Sequence, residues 1–241
     1  MSSQPKSLPG GTSVSLLDVY GDEAPDGVCG GSPHMHLVST ECYIVTGGEG
    51  ALQTIDRSGF RETALREGSV VWFTPGTIHR AVNRGGLRAV VLMDNAGLPE
   101  AGDAVMTFPA DIVGDPGAYA RASALASPED LGMRAQSARR RRDLAVEGFG
   151  LLRRAVEAGV DDALDDFYAA ALALVRDRAA AWPEIVRGAP LREAEASLAR
   201  AEAVSAGDGR HLSEGRIFEA AAAAGPKGFG MCGRLTTFSL G

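Results

Sequence analysis

Two periodicities divide the chain near residue 110. Before that point short apolar runs alternate with polar positions at a period of two, which puts residues i and i+2 on one face of a strand. TSVSLLDVY, ECYIVT, ALQTID, FRETAL, SVVWF, HRAVN and LRAVVLMD all read as strands, and GGEG, DRSG and NRGG between them carry turn chemistry. Many short strands at close spacing predict an antiparallel sandwich or barrel.

Beyond residue 110 the apolar positions recur at helical spacing. A first helix is predicted from Ser127 as N-cap, with Pro128 at its first position, to Gly159 as C-cap. Leu144, Val146, Phe149, Leu152 and Val156 form its apolar stripe, so it packs on the barrel or on a partner. A second helix runs from Asp161 or Asp162 to Trp182, stopped or kinked by Pro183, and shorter helices are expected over 191–204 and 213–224. The closing GFGMCGRLTTFSL returns to strand character, either as an edge strand of the barrel or as one pairing with a partner chain. The resulting division is a flexible terminus over 1–11, a barrel over 12–110, a linker over 111–126, and a helical region with a terminal strand over 127–241.

Composition narrows the function classes. With 241 residues, 45% apolar and 23% charged, the chain can bury a real core. A formal net charge of −7 argues against nucleic acid as the main partner, since phosphate binding needs a basic surface. The run ARRRRD at 138–143 is flanked by acidic residues and reads as a solvated helix face or an intersubunit contact. Cys29, Cys42 and Cys232 show neither a disulfide framework nor zinc-ribbon spacing, which fits a reducing compartment. Cys29 and Cys42 read as packing residues. The first thirteen residues hold no apolar leader core, and the run FYAAALALV is too short to span a bilayer. A soluble cytoplasmic protein without a membrane partner is expected.

Histidine is scarce, with four in the chain, yet two stand one residue apart in GSPHMHLVSTE. On an extended strand His34 and His36 project from one face, a ready-made pair of metal ligands. Glu41 has the wrong parity for one uninterrupted strand, so VST must loop if Glu41 is to open the next strand facing inward. His79, Ala81 and Asn83 share a face of a later strand, which barrel closure can bring towards the pair. The competing reading makes the histidines ordinary core or surface residues and Glu41 a surface carboxylate, or an acid/base in a metal-free barrel. Three neutral imidazoles and a carboxylate suit a divalent first-row metal, with up to two positions open. His211, in GDGRHLSEG, reads as a surface loop residue.

HMHLVSTECYIVTGG resembles the first conserved motif of the cupin superfamily, with His34, His36, Glu41 and Gly48 in place. GSVVWFTPGTIHRAVN resembles the second, with Gly68, Gly76, His79 and Asn83 in place. There are two departures, both at turn positions: Val28 stands where a glycine is expected, and Thr74 where the proline is, with Pro75 one place later. The resemblance covers about residues 12–110 and implies a jelly-roll barrel of six or more strands. It implies one divalent transition metal per chain, held by His34, His36, Glu41 and His79, with Fe(II) or Mn(II) first and Zn, Ni or Co as alternatives. Tyr43, Asn83 and Arg88 are candidate pocket residues. The expected activity is that of a metal-dependent enzyme on a small polar molecule, foremost a non-haem oxygenase, with Glu41 as a ligand that loosens during turnover or as a base. The alternatives are a metal-dependent isomerase, epimerase or lyase, and a non-catalytic small-molecule sensor. The helical half is left as a lid, a specificity element or a dimer interface, and a homodimer is expected.

Overall fold

A computed structural model of the protein describes residues 7–160 and 162–239. Its first half is built from β1 (Ser13–Val19), β2 (His34–His36), β3 (Glu41–Asp56), β4 (Gly59–Arg66), β5 (Val70–Phe73), β6 (Ile78–Met93) and β7 (Ala104–Met106). The pairing is antiparallel throughout, in the order β4–β3–β6–β1, with β5 on β3, β2 on β6 and β7 on β2. The hairpin expected at DRSG is present, with Asp56 accepting a hydrogen bond from the Ser58 amide and Gly59 at φ +103°.

GGEG and NRGG are not chain reversals. Each lies inside a 16-residue strand, β3 or β6, and the two stretches face one another where the β3–β6 register shifts between Val45 and Gly50. Gly48 sits at φ +73°, and a β-carbon there would fall on the carbonyl oxygens of Gly85 and Gly86. Glycine is required because the opposing backbones meet at a sharp bend of both strands. The bend divides β3, so that its first residues pair with β5 and its last eight with β4. These residues have turn chemistry, and the fold uses it to bend two paired strands rather than to reverse the chain.

The second half holds α1 (Ala110–Val113), α2 (Pro116–Ser123), α3 (Leu131–Glu157), α4 (Ala163–Ala179), α5 (Trp182–Val186) and α6 (Arg192–Ser205). Where a linker was expected over 111–126 there are two short helices; Asp115 caps the second by accepting from the amides of Gly117 and Ala118. The first long helix starts three residues later than expected, because Asp130 rather than Ser127 accepts the orphan amide, that of Met133. Gly159 does follow its end, at φ +68°. Asp161, one of two proposed starts of the next helix, lies outside the described residues, and Asp162 occupies the N-cap. Pro183 opens α5 rather than closing α4. A π-helical turn, Arg187–Leu191, joins α5 to α6.

The helix expected over 213–224 is absent. A 3-10 turn (Arg210–Glu214) gives way to extended chain, then β8 (Ala221–Ala222), β9 (Gly228–Phe229) and β10 (Gly233–Ser239). Helix propensity of the alanine run is overridden by pairing, since Ala222 lies opposite Phe238 and β10 itself pairs with β1. The terminal strand therefore joins the barrel sheet. Residues 9–11, expected in a flexible terminus, form a 3-10 turn, and Gly11 meets the backbone of Pro190 so closely that a β-carbon would not fit. The architecture is a β-barrel with a helical C-terminal extension.

Two buried clusters hold it together. One fills the barrel, with Leu17, Tyr43, Val45, Leu65, Phe73, Leu87 and Val91 from alternate strand positions. The other lies between the barrel and the helices, where Ile55, Ile78 and Val105 meet Phe108, Phe149, Val175 and Trp182. The apolar stripe of α3 thus packs on the barrel, each fully buried large side chain contributing about 1.5–3 kcal/mol. The arginine run is a solvated face only in part: Arg139 and Arg140 are exposed, but Arg141 and Arg142 are buried. Arg142 is 3% exposed and donates to the carbonyls of Asp22 and Glu23, and Arg141 donates to the Gly230 carbonyl. Carbonyls of barrel loops take up donors of both guanidinium groups, which makes their burial tolerable, although Arg141 Nε is left without a partner.

Gly148 lets α3 rest directly on the chain at 107–109. A β-carbon there would overlap the Thr107 carbonyl oxygen, whereas Gly150 has only the end of the Arg154 side chain at 3.4 Å. Helix propensity alone favours alanine over glycine by about 1 kcal/mol at either site. Gly150→Ala is therefore expected to stabilise by up to about 1 kcal/mol, while Gly148→Ala destabilises by about 1–3 kcal/mol. Urea unfolding of the two variants checks the difference in sign.

Candidate metal centre

β2 is only three residues long, but it places the site. His34 lies opposite His79 across the β2–β6 pair and opposite Met106 across β2–β7. Both β2 histidines point inward, and their rings are 5.2 Å apart, while those of His34 and His79 are 4.2 Å apart. Glu41 reaches the same side because residues 37–40 leave the sheet. Asp103 holds that loop, accepting from the amides of Leu37, Val38 and Ser39 at 3.1, 2.8 and 2.9 Å. Asp94 accepts from the Thr40 amide at 2.8 Å. β3 then restarts at Glu41 in the parity that turns its carboxylate inward.

The four side chains are buried, none more than 5% exposed, and one ligand atom from each lies within 4.8 Å of the others. Ring orientation is set on the far side of each imidazole. His34 Nδ1 is 2.9 Å from the Ser32 carbonyl and His79 Nδ1 is 3.2 Å from the Thr77 carbonyl. A carbonyl only accepts, so Nδ1 carries the proton and Nε2 presents its lone pair. His36 Nδ1 faces Asp103 at 3.5 Å, an ion-pair separation rather than a hydrogen bond. His36 Nε2 and His79 Nε2 both lie 3.2 Å from Glu41 Oε2. His79 Nε2 and Glu41 Oε2 are buried with no hydrogen-bond partner, and such orphans are costly unless an ion completes them. The donor set fits a divalent metal: His34, His36, Glu41 and His79 can hold one.

The same geometry sets the electrostatics. Burial, with His79 and His36 beside it, holds His34 well below the ordinary histidine range. For Glu41 burial opposes ionisation, but the flanking His36 and His79 outweigh it and hold the carboxyl well below its usual range. Burial also works against a charged His36; Asp103 and Glu41 override it and raise the group to about 9.

A cavity of about 320 Å³ opens on this cluster and is lined by His34, His36 and Glu41. Its remaining wall comes from β1, β6 and β10, the residues before β1 and β10 and the stretch 96–100 that follows β6, including Leu17, Val91, Met93, Met231 and Leu235. Among the described residues that line it, Glu100 is the one charged side chain beyond Glu41, and none is a lysine or arginine. Hydroxyls of Thr12, Ser13, Ser15 and Thr237 supply the other polar contacts.

The further candidates fall elsewhere. Tyr43 is 1% exposed inside the barrel, its hydroxyl 3.1 Å from Cys232 Sγ, and it does not line the cavity. Burial pushes its phenol well up, with Cys232 and Glu41 adding to the effect. Asn83 sits at the glycine bend, donating to the Val19 carbonyl and accepting from the Gly85 and Leu87 amides, so it braces the chain there. Arg88 is an exposed neighbour of Asp18 on the outer face. His211 lies in the 3-10 turn before β8, apart from the cluster.

Asp103 went unseen in the sequence. Nothing about a lone Asp before an unread three-residue strand marks it, and only the fold sets it behind His36. Partners of this kind are worth about 10–100-fold in metal affinity. Asp103→Asn, which keeps the side-chain shape and removes the charge, is expected to weaken metal binding by about tenfold in chelator competition. Tyr168 of α4 was also unforeseen; its hydroxyl donates to the Gly76 carbonyl at 2.8 Å, bracing the loop that leads into His79.

Residues 23–93 match the family model described as "Cupin domain". No curated protein matches the chain. Among solved structures, the capsular polysaccharide assembling protein CapF from Staphylococcus aureus is 17% identical over 39% of this chain and 25% of that one, with a TM-score of 0.31. The TDP-fucose-3,4-ketoisomerase WlaRA from Campylobacter jejuni is 11% identical over 38% and 64%, with a TM-score of 0.32. An oxalate oxidase in complex with the substrate analogue glycolate is 21% identical over 39% and 57%, with a TM-score of 0.26. The aligned part spans a quarter of CapF, and each likeness takes in about two fifths of this chain.

Proposed function

We propose that this protein, a member of the cupin superfamily through residues 23–93, is a metal-dependent enzyme that oxidises a small molecule with an apolar body and one metal-binding oxygen group. The reading departs from the expected small polar substrate, because the wall facing the cluster is apolar and carries no lysine or arginine to meet a second, anionic group. The carrying observation is the convergence of one ligand atom from each of His34, His36, His79 and Glu41 at the end of that cavity. A bound Fe(II) or Mn(II) would supply open coordination positions for substrate and dioxygen.

The chain's own residues supply the rest. The carbonyls of Ser32 and Thr77 hold two rings with their lone pairs aimed inward, so no reorganisation is needed on loading. The single carboxylate leaves a divalent site with net positive charge, which favours a hydroxyl, enolate or carboxylate oxygen in the substrate. Leu17, Val91, Met93, Met231 and Leu235 exclude water from the remainder. A non-oxidative isomerase or lyase needs a positioned acid or base besides the metal ligands, and among the described residues that line the cavity only Glu100 and the Cys232 thiol, which burial pushes up to about 12, are titratable beyond them. That observation favours oxidation over proton transfer.

Oxygen uptake by the iron-loaded protein with a panel of hydroxylated and carbonyl-bearing apolar compounds tests the reading. Turnover that proceeds at full rate without oxygen would overturn it in favour of isomerase or lyase chemistry, and saturable binding without any turnover would make the protein a sensor.

A further inference from the structure

Glu100 is the one charged side chain among the described lining residues that the ligand cluster does not use, and it stands at the mouth of the cavity. It is exposed, whereas the four ligand side chains are at most 5% exposed. Its carboxylate has no hydrogen-bond or ion-pair partner among the described residues. Arg178, whose Nε donates to the Gly102 carbonyl two residues on, does not line the cavity. The backbone that carries Glu100 is held on both sides. Leu98 is fully buried, the Ala96 amide donates to the Gly11 carbonyl at 2.9 Å, and Trp182 Nε1 donates to the Ala101 carbonyl at 3.2 Å. A carboxylate on a fixed loop needs little further ordering when a ligand arrives.

We infer that Glu100 selects the substrate: a molecule whose oxygen group reaches the metal and whose outer end is a cationic nitrogen, with an apolar linker between them. The inference rests on the reading of the cluster as a metal centre fed by this cavity, and it adds the chemical class. Three kinds of outer end can be compared. An anionic end meets Glu100 with no lysine or arginine in the wall to compensate. A neutral apolar end takes water from the carboxylate and returns no donor, which is costly. An ammonium end returns both charge and N–H donors. The linker lies against Leu17, Val91, Met93 and Leu235, which reward apolar surface.

Cobalt(II)-loaded full chain, whose visible bands report ligand exchange at the metal, tests this by titration with two matched series. One is the straight-chain carboxylic acids from butanoic to octanoic acid, and the other their ω-amino derivatives. At one chain length the amino acid is expected to bind about fivefold more tightly than the plain acid, the upper range for a solvated ion pair, and less so on either side. In Glu100→Gln the ratio should fall to about one, and in Glu100→Lys it should invert, the plain acid becoming the tighter of the two. The net charge of −7 attracts any cation, but that attraction survives Glu100→Gln and has no preferred length. Cobalt content and circular dichroism of both variants separate loss of selectivity from loss of fold. A ratio near one at every length in the parent, or a ratio that persists in Glu100→Gln, overturns the inference and leaves the metal centre standing. Cobalt bands that respond to neither series overturn the reading of the cavity, and the inference with it.

Discussion

The combined substitution His34→Ala and His36→Ala is expected to yield folded protein that purifies without stoichiometric metal, against about one ion per chain for the parent. Two of four ligands go, and roughly 10–16 kcal/mol of binding is shared among four donors in sites of this size. At 1.4 kcal/mol per factor of ten, the loss is at least about a thousandfold in affinity. The barrel core does not depend on these rings, since Leu17, Tyr43, Leu65 and Phe73 pack without them. Elemental analysis beside circular dichroism reads both halves of the expectation, and retention of stoichiometric metal by the folded double variant would sink the site. A proton signature accompanies it. Before loading, His36 lies between Glu41 and Asp103, which, against the effect of burial, raise it to about 9, so at neutral pH it carries a proton. A metal at Nε2 must displace that proton, so loading at pH 7 releases acid and affinity climbs with pH until about 9. Calorimetry in two buffers of different ionisation enthalpy measures the release.

Deletion of residues 125–241 is expected to give aggregated rather than soluble barrel. The truncation removes β10, which pairs with β1 from Ser15 to Val19, and so bares the edge of β1. It also strips α3, α4 and α5 from Ile55, Ile78, Leu98, Val105 and Phe108, all of which are buried in the complete chain. An unpaired edge beside an uncovered apolar face is the combination that drives aggregation. The metal pocket loses a wall too, because Met231, Cys232 and Leu235 come from the end of the chain. Expression of residues 1–124 with a solubility and metal assay decides the matter. Soluble, metal-loaded material would show the two halves to be independent domains.

Legibility differs between site and setting for a physical reason. His34 and His36 were readable because i and i+2 on a strand must share a face, and Glu41 because its parity demanded the loop that Asp103 now pins. Gly159 was readable because a helix end calls for a left-handed residue. Local rules failed where a distant partner decided the outcome. Gly48 and Gly86 carry turn residues, yet they meet each other across two strands and bend both. The alanine run near 222 has helix propensity, but β10 offers it a pairing edge. Arg141 and Arg142 look solvated by charge alone, until backbone carbonyls from residues 22, 23 and 230 take up their donors.

The sequence by itself therefore determined the strand parity, the four ligand candidates, the barrel class and the helical character of the second half, because each depends on residues a few positions apart. Tertiary structure alone decided that Asp103 stands behind His36, that the last strand walls the cavity, and that this wall is apolar. Those features join residues tens to hundreds of positions apart, and no local periodicity encodes which distant strand will be the neighbour.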